Sequence, residues 1–218
     1  MRVDVKFCGM TRAEDVQEAA RLGASYVGVI FAGGPRHVSV GQASAILSDA
    51  PHTVKRVGVF ANQSPSEIGD IARRLGLTTV QLHAEADPRR VADVRAEFDG
   101  EVWAAVRVEG TALPPELPAL FAASDAVLLD SRVAGKLGGT GITVAWVAIA
   151  PTLSALRGHR GRLVLAGGLV PENVADAIEA LQPDVVDVSS GIEAAPGMKD
   201  HRRMRSFMEA VHAAQVSR

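Results

Sequence analysis

The sequence predicts a single α/β domain folded as a closed (β/α)8 barrel, the TIM-barrel class, and three observations carry that expectation. Short Val-rich runs alternate with amphipathic stretches along the whole chain, the order that produces parallel β-α units, and eight such units can be counted. The strand candidates are apolar on one face and polar on the other, whereas strands of an open parallel sheet are apolar on both. A barrel can turn the apolar face to its helices and gather polar groups inside, near its mouth. Finally, 218 residues with 47% hydrophobic and only 4% aromatic content suffice for one sizeable core built from Val, Leu, Ile and Ala. No linker or low-complexity tract divides the chain, so one domain is expected over residues 1–218.

The first strand is expected at 3–8, with Val3, Val5 and Phe7 on one face and Asp4, Lys6 and Cys8 on the other. Thr11-Arg12-Ala13-Glu14 reads as a capping box for the helix that follows. Strands at 26–31 and 54–60 come next, and in the latter Val57 and Val59 oppose Arg56. Ser64-Pro65-Ser66-Glu67 is a second capping box, with proline at the first helical position. Ile68, Ile71, Ala72 and Leu75 then share a helical face, and Gly76 is a natural stop. Strands at 78–82, 101–107 and 126–130 follow, with Val80 and Leu82 facing away from Gln81 and His83. From Ser131 to Gly141 periodicity is absent, and four glycines and Lys136 predict a mobile lid. The last strands fall at 162–166 and 184–188, where Val186 and Val188 oppose Asp187. Pro171 opens a helix that buries Val174, Ala177, Ile178 and Leu181. Asp200 caps the final helix, whose buried stripe is Met204, Phe207, Met208 and Val211.

A formal charge of −2 gives no chain-wide electrostatic reason to expect nucleic acid or a membrane surface, so the expected ligand is a small molecule. The single cysteine excludes an intrachain disulfide and fits a reducing compartment. No apolar run approaches the roughly 20 residues of a membrane span. Residues 1–6 alternate like a strand and lack an apolar signal core, so a cytoplasmic protein is expected.

Barrel chemistry is done at the C-terminal ends of the strands, which ranks Cys8, His83, Arg107, Asp130 and Asp187 above other polar residues. A free thiol of pKa about 8.5 is only a few per cent ionised near neutrality, so Cys8 needs a neighbouring positive charge to act as a base. Lys6 shares its strand face, and Asp187, Asp4 or both are expected to compensate that lysine inside the barrel; a purely structural ion pair is the other reading. Asp130 closes an apolar run, and to act as a general acid it must hold a proton, which burial favours. Two glycine-rich turns, Gly167-Gly168 and Ser189-Ser190-Gly191, follow the seventh and eighth strands, where backbone amides and hydroxyls can cradle a phosphate. Arg36, approached through Pro35, is placed to pair bidentately with a ligand carboxylate. Gln81 and His83 either line the pocket or serve the framework. The histidines show no metal-ligand spacing, and no nucleotide or pyridoxal motif stands out; neither a metal nor an organic cofactor is expected.

Read in order, Lys6-Phe7-Cys8-Gly9-Met10-Thr11, Val57-Gly58-Val59-Phe60, Val80-Gln81-Leu82-His83, Leu128-Leu129-Asp130-Ser131 and Gly138-Gly139-Thr140-Gly141 form a recognisable set. It continues through Leu165-Ala166-Gly167-Gly168-Leu169-Val170-Pro171-Glu172-Asn173-Val174, Val186-Asp187-Val188-Ser189-Ser190-Gly191-Ile192-Glu193 and Pro196-Gly197-Met198-Lys199-Asp200. Spanning nearly the whole chain, this set resembles the phosphoribosylanthranilate isomerases of tryptophan biosynthesis. The resemblance implies an Amadori rearrangement of N-(5-phosphoribosyl)anthranilate by general acid and base catalysis, without cofactor, in a monomer or a homodimer. It implies Asp130 as acid, Cys8 as base, Arg36 on the anthranilate carboxylate, the two turns on the phosphate, and Asp187 at the sugar or pocket. The sequence departs from the family pattern at Gly34, usually serine, and Ala84, usually glycine; the first is expected to loosen the arginine loop and the second to narrow the pocket. Two rivals stay open: a histidine-pathway or dual-substrate aminoaldose isomerase, which typically carries aspartate where Cys8 stands, and a non-catalytic phosphosugar-binding barrel.

Overall fold

The computed structural model of the protein describes residues 2–83, 87–108, 110–131, 141–156 and 161–216. Eight parallel strands form a closed ring in sequence order: β1 (Asp4–Cys8), β2 (Tyr26–Ile30), β3 (Lys55–Phe60), β4 (Thr79–Leu82), β5 (Glu101–Val108), β6 (Ala126–Ser131), β7 (Arg162–Ala166) and β8 (Val185–Val188). Closure is made by β8 on β1, in a register that sets Lys6 beside Asp187 and Phe7 beside Val188. Helices α1 (Ala13–Arg21), α2 (Val40–Leu47), α3 (Pro65–Leu75), α4 (Pro88–Arg95), α5 (Leu117–Ala123), α6 (Gly141–Ala155), α7 (Val174–Leu181) and α8 (His201–Val216) follow the strands in turn. Between β8 and α8 lie a 3-10 turn (Ser190–Ile192) and a two-stranded antiparallel hairpin, β9 (Glu193–Ala195) and β10 (Met198–Lys199), which the sequence patterns do not signal. Among the described residues no helix is long and apolar enough to cross a membrane.

Two apolar shells follow from the period-two alternation of the strands. Val3, Val5, Phe7, Val80, Leu82, Val186 and Val188 belong to the outer shell that the helices cover. Burying each such side chain contributes about 1.5–3 kcal/mol relative to leaving it in water. The inner shell fills the barrel with Tyr26, Val57, Trp103, Ala126, Leu128, Val164, Ala166 and Val185. Val57 therefore corrects the expected orientation of β3: the valines face inward, and Arg56 reaches out to the carbonyls of Leu75 and Ala50. The middle of a barrel must be filled by apolar groups, so a long cation that can find carbonyls outside is turned away from it.

Helix starts differ in how well local sequence foretold them. Ser64 and Glu67 form the reciprocal capping box expected of α3, and Gly76 ends that helix at φ 60, a left-handed value that glycine adopts without strain. At α1 the expected box is absent: Arg12 occupies the cap position, no side chain caps the helix, and the Thr11 hydroxyl instead bonds to the carbonyl of Gly197. A tertiary acceptor on the β9-β10 turn has taken the hydroxyl that local patterning assigned to the helix. α7 begins at Val174, three residues after Pro171, because Asn173 turns back onto the preceding loop. Asp200 does cap α8, accepting from the amides of Arg202 and Arg203. The predicted lid falls largely on residues 132–140, outside the described residues, as does Ala84.

The N-terminal end of the barrel is closed by a polar floor. Glu101 accepts from Lys55 at 2.6 Å, Arg162 at 2.8 Å and the Trp103 indole at 3.1 Å. Tyr26 stacks edge-on against Trp103 with centroids 4.9 Å apart and takes a hydrogen bond from Arg162. Among the described residues, the opposite, C-terminal end bears a cavity.

Candidate active site

A cavity of about 370 Å³ occupies the C-terminal mouth, a size suited to a small ligand. Cys8, Arg36, Gln81, His83, Asp130, Gly167, Gly168, Asp187, Ser189, Ser190 and Gly191 all line it, so of the candidates ranked from the sequence only Arg107 stands outside this space. Arg107 lies in register with Asp130 and is exposed. Strand ends supply Cys8, Gln81, Asp130 and Asp187, and the segments just after β2, β4, β7 and β8 supply the rest.

Cys8 sits at the end of β1 and is buried. Gly28, its partner on β2, makes room for it: a methyl group there would lie 3.0 Å from Sγ and 3.4 Å from the Lys6 side chain. Lys6 is fully buried and donates to Asp187 Oδ2 at 2.9 Å. Asp187 is thus the compensating carboxylate; Asp4 instead accepts from the Ser25 hydroxyl at 2.8 Å. Burial pushes the Cys8 thiol above its ordinary range, Lys6 and Lys199 pull it down, and Asp187 pushes it up again. Desolvation acts to lower the Lys6 pKa, but Asp187 and Cys8 outweigh it and the ammonium is held charged. His83 moves the other way: burial lowers its pKa, the Asp130 carboxylate opposes, and Lys6 adds to the fall. A neutral ring results near pH 7, with Nδ1 3.4 Å from the Gln81 amide nitrogen.

The two glycine-rich turns meet backbone to backbone. A Cβ on Gly191 would lie 1.9 Å from the carbonyl oxygen of Leu169, so only glycine lets the turn after β8 nest against the turn after β7. Gly167 and Gly168 adopt φ 87 and 67, which frees their peptide groups from the ordinary strand direction. Asn173 holds that turn by accepting from the Val170 amide at 2.9 Å and donating to the Gly168 carbonyl at 3.0 Å. Three buried polar atoms on residues that line the cavity have no hydrogen-bond partner among the described residues: Gln81 Oε1, Asp187 Oδ1 and Ser189 Oγ. Orphaned polar atoms are costly unless something else satisfies them, and their gathering here marks a ligand site.

Arg36 is held from behind. Its Nε and Nη2 donate to the two oxygens of Glu193 at 2.7 and 2.6 Å, and Lys199 donates to the same carboxylate at 2.9 Å and to the Ser189 carbonyl at 3.2 Å. Gly9, at φ 73, allows the close approach, since a Cβ there would lie 2.6 Å from the Arg36 side chain. Gly34 adopts φ 87, a backbone value that serine tolerates poorly. Sequence reasoning assigned no role to Glu193, Lys199 or Asn173. The signal available for them was their place in the segments just after β7 and β8.

The sequence profile of the N-(5'-phosphoribosyl)anthranilate (PRA) isomerase family matches residues 5–210. The chain belongs to this family. Among curated PRA isomerases, that of Thiobacillus denitrificans is 37% identical over 216 residues, covering 98% of this chain and 100% of the relative. That of Paracoccus denitrificans is 40% identical over 215 residues, covering 95% and 96%. The crystal structure of the PRA isomerase from Thermotoga maritima superposes with a TM-score of 0.83 at 36% identity, over 97% of this chain and 99% of that one. A PRA isomerase solved in complex with reduced 1-(o-carboxyphenylamino)-1-deoxyribulose 5-phosphate gives 0.81 at 34% identity, over 97% and 99%.

Proposed function

We propose that the protein catalyses the Amadori rearrangement of N-(5-phosphoribosyl)anthranilate to 1-(2-carboxyphenylamino)-1-deoxyribulose 5-phosphate, a step of tryptophan biosynthesis. The observation that carries this reading is the shared cavity: a thiol from β1 and a carboxyl from β6 face one space, with the paired glycine turns beside them. Asp130 protonates the furanose ring oxygen, and the ring opens to an iminium ion. Its positive charge acidifies the adjacent sugar carbon, and Cys8 removes that proton to leave an enolamine. A cation formed beside a buried thiol favours the thiolate and offsets the effect of burial. The enolamine tautomerises to the ketone, so side-chain acid and base groups suffice.

The remaining groups bind and orient. The phosphate sits on the amides around Gly167, Gly168 and Gly191 and takes a hydrogen bond from Ser189 or Ser190; the orphaned Asp187 Oδ1 accepts from a sugar hydroxyl; Arg36 meets the anthranilate carboxylate. Gln81 and His83 complete the wall. The same reading places the enzyme in the cytoplasm, where its one thiol stays reduced.

The test is turnover of freshly prepared phosphoribosylanthranilate, followed as loss of fluorescence, beside the histidine-pathway aminoaldose. Cys8→Ala and Asp130→Asn should each lower kcat by roughly 10² to 10⁴-fold while the fold persists. Turnover unchanged in either variant removes the role given to that residue. Product binding without turnover by the unaltered protein would favour the non-catalytic barrel.

A further inference from the structure

Behind the cavity wall stand two buried charged groups that the proposed reaction does not use. Glu193 and Lys199 do not line the cavity; they are side chains of the β9-β10 hairpin, 5% and 0% exposed, and both act on Arg36, directly or through each other. The hairpin itself is pinned: Arg12 donates to the Lys199 carbonyl at 3.0 Å, and Asp15 accepts from the Lys199 amide at 3.3 Å and from His201 at 2.9 Å. The positions of Glu193 and Lys199 are therefore fixed by the framework.

A guanidinium offers five N–H donors in a rigid plane. Glu193 takes the edge formed by Nε and Nη2, which leaves Nη1 and the outward N–H of Nη2, a second bidentate edge, for a ligand in the cavity that Arg36 lines. Charge is the second consideration. Glu193 alone would neutralise Arg36 and cancel its attraction for an anion. Lys199 lies 2.9 Å from the same carboxylate; burial lowers its pKa and Glu193 opposes that fall, and with Lys199 protonated the trio has two cations to one anion, so Glu193 does not cancel Arg36. Burial acts to raise the Glu193 carboxyl, but its bonds from Arg36 and Lys199 prevail and hold it below its ordinary range, so it stays ionised.

We propose that Glu193 and Lys199 are positioning residues for carboxylate selection: Glu193 fixes the plane of the Arg36 guanidinium, and Lys199 restores the charge that Glu193 would otherwise cancel. This rests on the reading of Arg36 as the partner of the anthranilate carboxylate. It also couples the two ends of the ligand, because the Lys199 ammonium that offsets Glu193 anchors the Ser189 carbonyl in the phosphate turn.

The experiment compares binding of the reduced carboxyphenylamino-deoxyribulose phosphate with that of its phenylamino counterpart lacking the carboxyl group, and with ribose 5-phosphate, in folded protein verified by circular dichroism. The unaltered protein should prefer the carboxylated probe by about 10- to 100-fold, the scale of one charge-assisted contact. Arg36→Met should abolish the preference. Glu193→Gln adds positive charge behind Arg36 but frees its plane; the lost alignment outweighs the added charge, so the preference should fall to less than about threefold and KM should rise more than kcat falls, with ribose 5-phosphate bound no more weakly; a general packing defect would weaken all three ligands together. Lys199→Met should reduce the preference and weaken ribose 5-phosphate as well. A preference kept in Glu193→Gln while Arg36→Met loses it overturns the inference. A preference kept in Arg36→Met removes the assignment of Arg36, and the inference falls with it.

Discussion

Replacing Lys6 by methionine isolates the contribution of the buried pair beneath the thiol. The ammonium is fully buried, its carboxylate partner is 8% exposed, and they are 2.9 Å apart. Asp187 Oδ1 already lacks a partner, so Lys6→Met leaves the whole carboxylate uncompensated inside the barrel. Breaking such a pair from one side costs about 3–5 kcal/mol, because the remaining charge stays desolvated. At roughly 2–4 °C per kcal/mol for a chain of this size, the midpoint should fall by about 6–20 °C. Removing both charges, as Lys6→Met with Asp187→Leu, should return stability to within about 1 kcal/mol of the parent, since an apolar pair can replace a buried ion pair at little cost. Urea denaturation followed by far-ultraviolet circular dichroism on the four proteins closes the cycle. A single variant that loses less than about 1 kcal/mol, or a double variant no more stable than the single, would refute the view that this pair is held against a desolvation penalty.

Other outcomes follow from the same geometry. Because burial raises the Cys8 thiol, alkylation by iodoacetamide should be slow at pH 7 and rise about tenfold per pH unit into the alkaline range, reported by the mass shift on the only cysteine; a rate independent of pH would contradict the raised value. Gly191→Ala forces the Leu169 carbonyl to move, so it should cost about 1–3 kcal/mol in a thermal melt, and it should weaken ribose 5-phosphate in calorimetry; unchanged affinity would separate that turn from phosphate. Ser189→Ala removes a buried hydroxyl without a partner, so the ligand-free protein should be as stable or slightly more so, while the substrate KM rises; loss of stability would mean the hydroxyl is satisfied.

The architecture was legible because strand ends and alternation are local properties. All eight strands lie within a residue or two of where Val-rich runs placed them, from β1 at Asp4–Cys8 to β8 at Val185–Val188. Parity alone did not settle β3, since two valines suit either shell and Arg56 can reach outward to carbonyls. The cavity residues at strand ends, Cys8, Asp130 and Asp187, were legible from the rule that such ends form the mouth. The support behind Arg36 was not. Its bonds to Glu193 cross 157 positions of sequence, and the hairpin carrying Glu193 and Lys199 is too short to show a period. Likewise Thr11 has the composition of a helix cap but spends its hydroxyl on Gly197, 186 positions away.

Ring closure between the first and last barrel strands sets an order on biosynthesis. A ribosome makes the sulfur with the first barrel strand, yet groups that bear on its ionisation arrive late: Asp187, which grips Lys6, stands 181 positions after it, and Lys199 comes later still. A growing polypeptide cannot assemble this electrostatic setting until the eighth strand and the hairpin after it have emerged. Partial translation products therefore carry an ordinary thiol, and the shift of its ionisation sets in when the circle shuts.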